Sequence, residues 1–428
     1  MYQPLLKIWF QTLAGIVLLL ASATAVRAEL TLPLDDMAKS ARLYYMSPTG
    51  LGNKDGSSED NAFAWPQLAR IASDFAAPSR IVLLPGVYDL TSTIDLRSPT
   101  ADTVLVLEGR DGALIKGNFD FAAGTGTGSG LRLRTGNLIL RGLSFQNTGF
   151  CVKSEKASVV NQVLIENLTA KNVHTCILVD RDSTQPVTRW IVRDSRIQGY
   201  YRAAIRLAGA QSSDFLLDKL QIDGAHDQAK SDCYKSGIQL YAGVNQVHIR
   251  DSSVSNNIGS CGEAYQQGDG IEADHKEGTP DQILLENIEV ANSGDADLDL
   301  KADHVTLTKV VTHGGPLTRY AFKVWTYDNY QCDQCYAYGL NKAYINLNQA
   351  TMRFTGSTFA NDKPVHICDL RHGTTPEQQA VVQFVDTSIY IGNDEWLNEC
   401  GPGVLAGVKR LPPGKLAPPE PATNLRGR

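Results

Sequence analysis

The chain has 428 residues, of which 43% are hydrophobic and 20% charged, and a formal net charge of −6. This length allows a sizeable buried core. A negative balance without any basic run argues against nucleic acid as a partner.

The first 28 residues predict an export signal. They begin with MYQPLLK, continue with an apolar run from Ile8 to about Leu20, and end in ASATAVRA, whose small residues suit a cleavage site. We expect cleavage after Ala28, with an uncleaved membrane anchor as the alternative because the apolar run is slightly long. No other segment has the ~18 apolar residues of a membrane span. The mature protein is therefore predicted to be secreted or periplasmic, without stable membrane insertion.

Residues 29–400 are predicted to form one domain. Near its start, an amphipathic stretch from Trp65 to Phe75 predicts a helix that covers the open end of a repeat structure. Residues 401–428 are proline-rich and are predicted to be disordered.

Short apolar–x–apolar segments recur through this domain at intervals of 20 to 33 residues, without helical periodicity. Such repeats predict an all-β solenoid, a parallel β-helix, in which each coil buries its apolar face against the next. A leucine-rich repeat is the alternative, but its L-x-x-L-x-L-x-x-N phrase is absent. The first apolar residues of the segments are Val152, Ile177, Ile205, Ile238, Ile271, Leu298, Phe322, Ile345 and Val365.

Asparagine recurs at one turn position of the repeats. We expect these side chains to form a stacked ladder that satisfies backbone groups of the turns. The members are Asn147, Asn172, Asn256 and Asn292, with Asp223 in the same place.

Eight cysteines in an exported chain predict disulfides, although their connectivity is open. Cys332 and Cys335 form a CDQC sequence, but a zinc site needs a second such pair, which the sequence lacks. The pairs that lie close in sequence are Cys151–Cys176, Cys233–Cys261 and Cys368–Cys400.

If successive coils superimpose, the residue after each aligned apolar position points outward and forms a column. Neighbouring coils lie about 4.8 Å apart, so Glu272, Asp299 and Lys323 should lie within a few ångströms of each other. The column reads Arg206, Gln239, Glu272, Asp299, Lys323, Asn346 and His366.

The column crosses an acidic cluster around GDADLDLKADH, residues 294–304, whose alternation predicts carboxylates on one exposed face of a strand. A hard cation with oxygen ligands would offset these charges, and we predict Ca²⁺. A structural salt-bridge ladder is the alternative. The acids are Asp269, Glu272, Asp274, Asp295, Asp297 and Asp299, against Lys301 and Lys323.

A calcium ion beside a lysine favours β-elimination of a uronate polysaccharide. A cation at the sugar carboxylate stabilises the charge that develops when the C5 proton leaves, and a neutral lysine amine accepts that proton. The ordinary lysine pKa of about 10.4 must be lowered for this role, which a cation favours and bare carboxylates oppose. The donor to the leaving oxygen is open between water, Tyr320 and another group.

Three motifs in consecutive coils resemble polysaccharide lyase family nine, the right-handed parallel β-helix pectate lyases. GDGI at 268–271, SGDADLDL at 293–300 and YAFKV at 320–324 are similar to the A-D-G-F, S-D-D-G-F-D-L and G-F-K-L of that family. The resemblance implies a pectin-lyase-like solenoid, with Asp269, Asp295 and Asp299 as calcium ligands and Lys323 as the catalytic base.

One position departs from this pattern. Ala296 stands where the family has a metal-binding Asp, and Asp297 or Glu272 would restore the lost ligand. Because the groove is changed, the sugar is left open among anionic polysaccharides.

A related lyase family that acts on alginate and dermatan-type chains suggests another arrangement, with Lys301 as base and Arg319 or Lys323 as its partner. Lys301 is otherwise a substrate-binding candidate, as are Arg206, Arg319 and Trp325. Hydrolases of this fold carry N-T-D, G-D-D and G-H-G phrases, which are absent here. His366, at the end of the column, is a weaker candidate for a general acid.

The sequence therefore predicts a monomeric, exported, calcium-dependent lyase of an anionic polysaccharide. A uronate C5-epimerase performs the same proton abstraction and is one alternative. A non-catalytic polysaccharide-binding β-helix is the other.

Overall fold

The computed structural model describes residues 29–98, 103–225, 231–261, 267–325, 330–360, 365–375, 378–390, 400 and 408–410. The predicted export signal and most of the predicted disordered tail lie outside the described residues. Within the tail, Val408–Arg410 form a strand that pairs with the strand Thr387–Tyr390. No described helix is long and apolar enough to cross a membrane.

The chain forms a right-handed parallel β-helix, which confirms the predicted fold. Ile205, Ile238, Ile271, Leu298 and Phe322 pair in register from coil to coil. All five are fully buried in one continuous apolar core inside the solenoid. Each coil therefore buries its apolar side chains against the next coil, as the repeat predicted.

The strands form three parallel ladders along the solenoid, called here the first, second and third sheets; two long strands join the second and third into one hydrogen-bonded sheet. The first sheet consists of Arg42–Ser47, Phe63–Ala64, Ser79–Leu83, Leu105–Gly109, Leu138–Arg141, Val160–Glu166, Val187–Arg193, Ser212–Asp218, Asn245–Arg250, Asp281–Glu286, Asp303–Thr308, Tyr330–Asp333, Thr351–Thr355 and Val381–Val385. The second consists of Gly86–Asp89, Ala113–Lys116, Ser144–Gln146, Gln221–Asp223, Ser253–Ser255, Glu289–Ala291, Val311–His313, Tyr336–Tyr338, Thr358–Ala360, Thr387–Tyr390 and Val408–Arg410. The third consists of Thr93–Leu96, Gly130–Leu133, Phe150–Ser154, Ser236–Tyr241, Asp269–Asp274, Ala296–Leu300, Tyr320–Trp325, Ala343–Asn348 and His366–Arg371. Two long strands, Thr169–Leu178 and Arg196–Ala208, pass from the second sheet to the third.

The helices lie near the start of the solenoid. The predicted Trp65–Phe75 helix is a 3₁₀ turn, Trp65–Gln67, followed by an α-helix, Leu68–Asp74. Its apolar side chains join the main core, and the indole N–H of Trp65 donates to the carbonyl of Asp89 at 2.8 Å. The segment therefore covers the first coils as expected. The other two helical segments are Leu34–Ala38 and a 3₁₀ turn at Glu59–Asn61.

The asparagine ladder is present across three coils. Asn256 donates to the Asp223 carboxylate at 2.8 Å, and Asn292 donates to the Asn256 carbonyl oxygen at 2.7 Å. Both asparagines have left-handed φ, 60° and 55°, a conformation that Asn adopts more readily than most residues.

All eight cysteines form disulfides, including the three pairs that lie close in sequence. Cys332 and Cys335 are bonded to each other, so the CDQC sequence is a disulfide. The four bonds are Cys151–Cys176, Cys233–Cys261, Cys332–Cys335 and Cys368–Cys400.

The last coil differs from the predicted register. Ile345 pairs with Cys368, not with Val365, and the outward position after Asn346 holds Asp369. His366 pairs with Ala343 instead, so its predicted place in the outward column is wrong. The strand bends so that Ile367 and Cys368 are both buried, and a strictly alternating pattern does not anticipate two successive inward residues.

Candidate active site

The candidate site lies on the outer face of the third sheet, where three consecutive coils meet. Glu272 pairs with Asp299, and Asp299 pairs with Lys323, as the predicted column requires. Asp295 immediately precedes its strand, and Asp269 begins the neighbouring one.

Three aspartates form the centre of the site. The carboxylate oxygens of Asp269, Asp295 and Asp299 lie within 4.8 Å of one another. The residues are only 6%, 2% and 3% exposed, so the prediction of an exposed acidic face is wrong. The side chains of Lys301 and Lys323, each 14% exposed, lie against them and help to exclude solvent.

Three cations form ion pairs with two of these carboxylates, Asp295 and Asp299. Lys323 Nζ lies 2.6 Å from an Asp295 oxygen and 2.8 Å from an Asp299 oxygen. Lys301 Nζ lies 3.1 Å from the same Asp299 oxygen, Oδ2, and Arg319 contacts the other Asp295 oxygen at 3.1 Å. The structure thus brings both candidate lysines to one carboxylate, but only Lys323 contacts two.

The electrostatics of the site depend on burial and on crowding of charge. Burial raises the pKa of Asp269, and the nearby Asp299 carboxylate raises it further. Burial by itself would lower the pKa of Lys323, but the carboxylates of Asp299, Asp269 and Asp295 raise it above its usual value. Lys301 behaves in the same way, chiefly through Asp299.

The donor set fits a hard cation. It consists of carboxylate oxygens alone, which is the preference of Ca²⁺. In addition, Asp299 Oδ1 is buried and has no hydrogen-bond partner among the described residues. A buried carboxylate oxygen without a partner is costly, and coordination of a cation would satisfy it.

Asp297 and Glu272 lie outside this group of three. Asp297 is fully buried, accepts a hydrogen bond from the Ser293 N–H at 3.3 Å, and has a pKa raised by burial. Leu298 pairs with Phe322, so Asp297 occupies the position that the core residue Ala321 occupies in the next strand. Asp297 and Leu298 are therefore two successive inward residues of the bent strand.

Glu272 is held by residues of the preceding coil. One of its oxygens accepts from the Ser236 hydroxyl at 2.5 Å and from the Gln239 amide at 2.9 Å. Burial raises its pKa. Neither replacement for the missing aspartate at Ala296 therefore joins the three clustered carboxylates.

The predicted substrate-binding residues lie at different distances from the centre. The Trp325 ring is 5.8 Å from both Lys301 Nζ and Lys323 Nζ. Arg206 lies in the same outward column but three coils before Asp299.

The structure adds residues that sequence reasoning missed. Lys342 Nζ lies against the Tyr320 hydroxyl and 3.4 Å from Asp369, to which Tyr320 also donates at 3.0 Å. A cavity of about 500 Å³ opens beside Lys342 and Asp369 and is also lined by His366 and His372. Lys342 occupies, one coil later, the position that Arg319 occupies before its strand. An alignment of YAFKV with the next strand would have identified Lys342.

The fold and this outward-facing site define the protein as a parallel β-helix with a carboxylate–lysine centre. No sequence profile of a known family matches the chain, and no curated protein matches it. Similar solved structures include an alginate lyase from Paenibacillus sp. str. FPU-7, with TM-score 0.46 and 11% identity over 71% of this chain and 95% of that one. Pectate lyase Pel9A has TM-score 0.36 and 11% identity over 83% and 78%. PfbA, a surface adhesin of Streptococcus pneumoniae, has TM-score 0.41 and 13% identity over 80% and 92%. Likeness at this level of identity shows the fold alone.

Proposed function

We propose that this protein is an exported, calcium-dependent lyase that cleaves a uronic-acid-containing polysaccharide by β-elimination. The observation that carries the proposal is the contact of Lys323 with two of three clustered, buried aspartates. One of these, Asp299, has an oxygen without a hydrogen-bond partner among the described residues. Four disulfides support export, because such bonds persist in oxidising compartments.

In the proposed reaction, Asp269, Asp295 and Asp299 would hold the cation. When bound there, Ca²⁺ would supply positive charge that offsets the negative charge developing beside the sugar carboxylate. Lys323 takes the C5 proton once its carboxylate neighbours are neutralised, since these carboxylates otherwise keep its amine protonated.

The remaining groups complete the elimination. When the C5–H bond breaks, its electron pair forms a double bond between C4 and C5. The bond between C4 and the leaving oxygen breaks. Water or the Tyr320 hydroxyl protonates that oxygen. Arg319 and Lys301, which already contact carboxylates, bind acidic groups of the sugar, and the Trp325 ring packs against a sugar face.

The test is the formation of an unsaturated uronide, followed by its ultraviolet absorbance. The mature protein is incubated with pectate, alginate and glycosaminoglycans, with and without a chelator. Lys323→Ala should lower kcat by about 10²- to 10⁴-fold, the usual contribution of a general base. Lys301→Ala is the matched control and should retain much more activity.

Two results would reject this assignment. If activity survives both the chelator and Lys323→Ala, the reaction needs neither the metal nor Lys323 as its base. Loss of activity in Lys301→Ala, with Lys323→Ala still active, would move the base to Lys301.

The same proton abstraction also serves a uronate C5-epimerase. An epimerase would exchange the C5 proton for solvent deuterium without cleaving the chain. A binding protein without catalytic activity would retain affinity for the polysaccharide and show neither product.

A further inference from the structure

Arg206 is a largely buried cation without an acidic partner among the described residues. Its Nε is buried and makes no hydrogen bond there, and the guanidinium lies 5.0 Å from the centre of the Tyr241 ring. Burial lowers its pKa, and the positive charge of Arg202 lowers it further. The residue is partly exposed, and the Glu272 carboxylate two coils along the column attracts it without forming an ion pair. A partly buried charge without an ion pair still costs stability, so its retention needs an explanation.

The two neighbouring arginines whose charges act on Arg206 differ from it in this respect. Arg181 contacts Glu277 at 3.1 Å, and Arg202 forms an ion pair with Asp232. Arg206 is thus the one member of a cluster of three cations that has no ion pair among the described residues. Such a cluster is an attractive environment for an anion from solution.

The place of Arg206 relates it to the candidate active site. It pairs with Gln239, Gln239 pairs with Glu272, and Glu272 pairs with Asp299, all on the outer face of the third sheet. With about 4.8 Å per coil, Arg206 lies roughly 14 Å from Asp299. Gln239, directly beside it in the column, is buried, and its Oε1 has no hydrogen-bond partner among the described residues.

We propose that Arg206 forms a remote subsite that binds the carboxylate of a uronate unit several sugars away from the scissile bond. The substrate chain then runs along the solenoid axis, parallel to the column of outward residues. Binding of a uronate at this subsite favours long acidic chains over short ones. The direction of the substrate chain rests on the proposed function, whereas the ability of Arg206 to bind an anion is independent of the reaction.

The test is affinity as a function of chain length, measured by calorimetry with uronate oligosaccharides. Lys323→Ala serves as the background, so that no ligand is consumed. In this background Arg206→Gln should weaken binding of a long oligouronate about 10- to 100-fold, as expected for loss of a charge-assisted hydrogen bond. Binding of a disaccharide, which is too short to reach from Asp299 to Arg206, should not change.

Two controls separate charge recognition from other effects. Arg202→Gln is the matched variant, because Arg202 already has a carboxylate partner, and it should show no length-dependent loss. A long oligosaccharide with its carboxylates reduced to alcohols should bind the Arg206→Gln variant as well as its parent.

Stability gives a second readout that a merely structural arginine would not produce. Arg206→Gln removes an unpaired buried charge and should raise the Tm of the free protein, whereas Arg202→Gln breaks an ion pair and should lower it. A lower Tm for Arg206→Gln, or an equal loss of affinity for short and long ligands, overturns the subsite.

Failure of the subsite is distinguishable from failure of the lyase. If no polymer yields an unsaturated uronide but the length-dependent loss at Arg206 is found, the subsite stands and the reaction falls. If cleavage is found and Arg206→Gln binds all lengths normally, the reaction stands and the subsite falls.

Discussion

Asp295 and Asp299 each hold two cations, and this sharing defines the chemistry of the site. Asp295 uses one oxygen for Arg319 and the other for Lys323, while Asp299 Oδ2 receives both lysines. A cation that binds these oxygens therefore competes with the lysines for them. The same carboxylate oxygens can bind either a lysine or a metal ion. The protonation of Lys323 therefore depends on whether a metal ion occupies the site.

A titration prediction concerns His174, which lies three coils before Asp269. Burial lowers its pKa below the ordinary 6.5, and its ring stacks on Tyr201. Because the unfolded chain binds this proton more readily, stability is present above the unfolded pKa and is lost as the pH falls below about 6.5. His174→Phe should therefore reduce the loss of Tm between pH 7 and pH 5.

The control for this prediction is His304, an exposed residue with the opposite shift. A hydrogen bond to Asp281 raises the pKa of His304, so its contribution is lost as the pH rises. His304→Asn should leave the acid-side loss of Tm in place. An unchanged acid slope in His174→Phe would show that other groups produce it.

At the scale of the elements, the turns fix the register of the coils. Non-glycine residues with left-handed φ recur at the turns, and among them the side chains of Asn256, Asn287 and Asn292 also hydrogen-bond to the preceding coil. A turn that satisfies its own backbone groups and bonds to its neighbour resists slippage of one coil along another. The outward columns depend on this registration.

Asn256 tests the ladder. Asn256→Ala removes two hydrogen bonds, each worth about 1 kcal/mol, and places alanine in a left-handed conformation at a further cost of roughly 1 kcal/mol. The free energy of unfolding should fall by about 2–3 kcal/mol in denaturant titrations.

A matched variant separates the two terms. Asn147 has a similar φ of 53° but makes no side-chain hydrogen bond among the described residues. Asn147→Ala should lower the free energy of unfolding only by the cost of placing alanine in a left-handed conformation, about 1 kcal/mol. Equal losses in the two variants would mean that the ladder bonds contribute nothing measurable.

At the scale of the whole molecule, the site exists only because coils stack. Asp269, Asp295 with Asp299, and Lys323 with Arg319 come from three successive coils of the third sheet. Each coil contributes to a core shared with its neighbours, so stability and site geometry are linked through nearest-neighbour packing. Anything that binds the assembled site stabilises the stack.

Calcium should therefore raise the Tm of the protein. At a free Ca²⁺ concentration of about 100 times Kd, binding to the native state alone adds roughly 2.7 kcal/mol, which amounts to a few degrees in Tm. A chelator should reverse the shift. Asp299→Asn should abolish it, and Asp281→Asn, on the first sheet and hydrogen-bonded to His304, should not. A shift of the same size in Asp299→Asn would place the ion elsewhere.

The sequence by itself determined the repeat, the parallel β-helix, the cap segment and the column from Arg206 to Asn346, and it indicated three candidate disulfide pairs while leaving their connectivity open. These follow from patterns that are local or strictly periodic: apolar spacing, turn residues and cysteines about one coil apart.

Only the tertiary structure decided that the aspartates are buried, that Asp297 points away from Asp299, and that Asp369 replaces His366 in the column. The strands of the third sheet at the site, such as Ala296–Leu300 and Tyr320–Trp325, bury two successive residues, and alternation along the chain carries no signal of this. Which carboxylates receive Lys323 depends in turn on the packing of the coils, because Lys323 meets Asp295 and Asp299 across more than 20 residues of sequence.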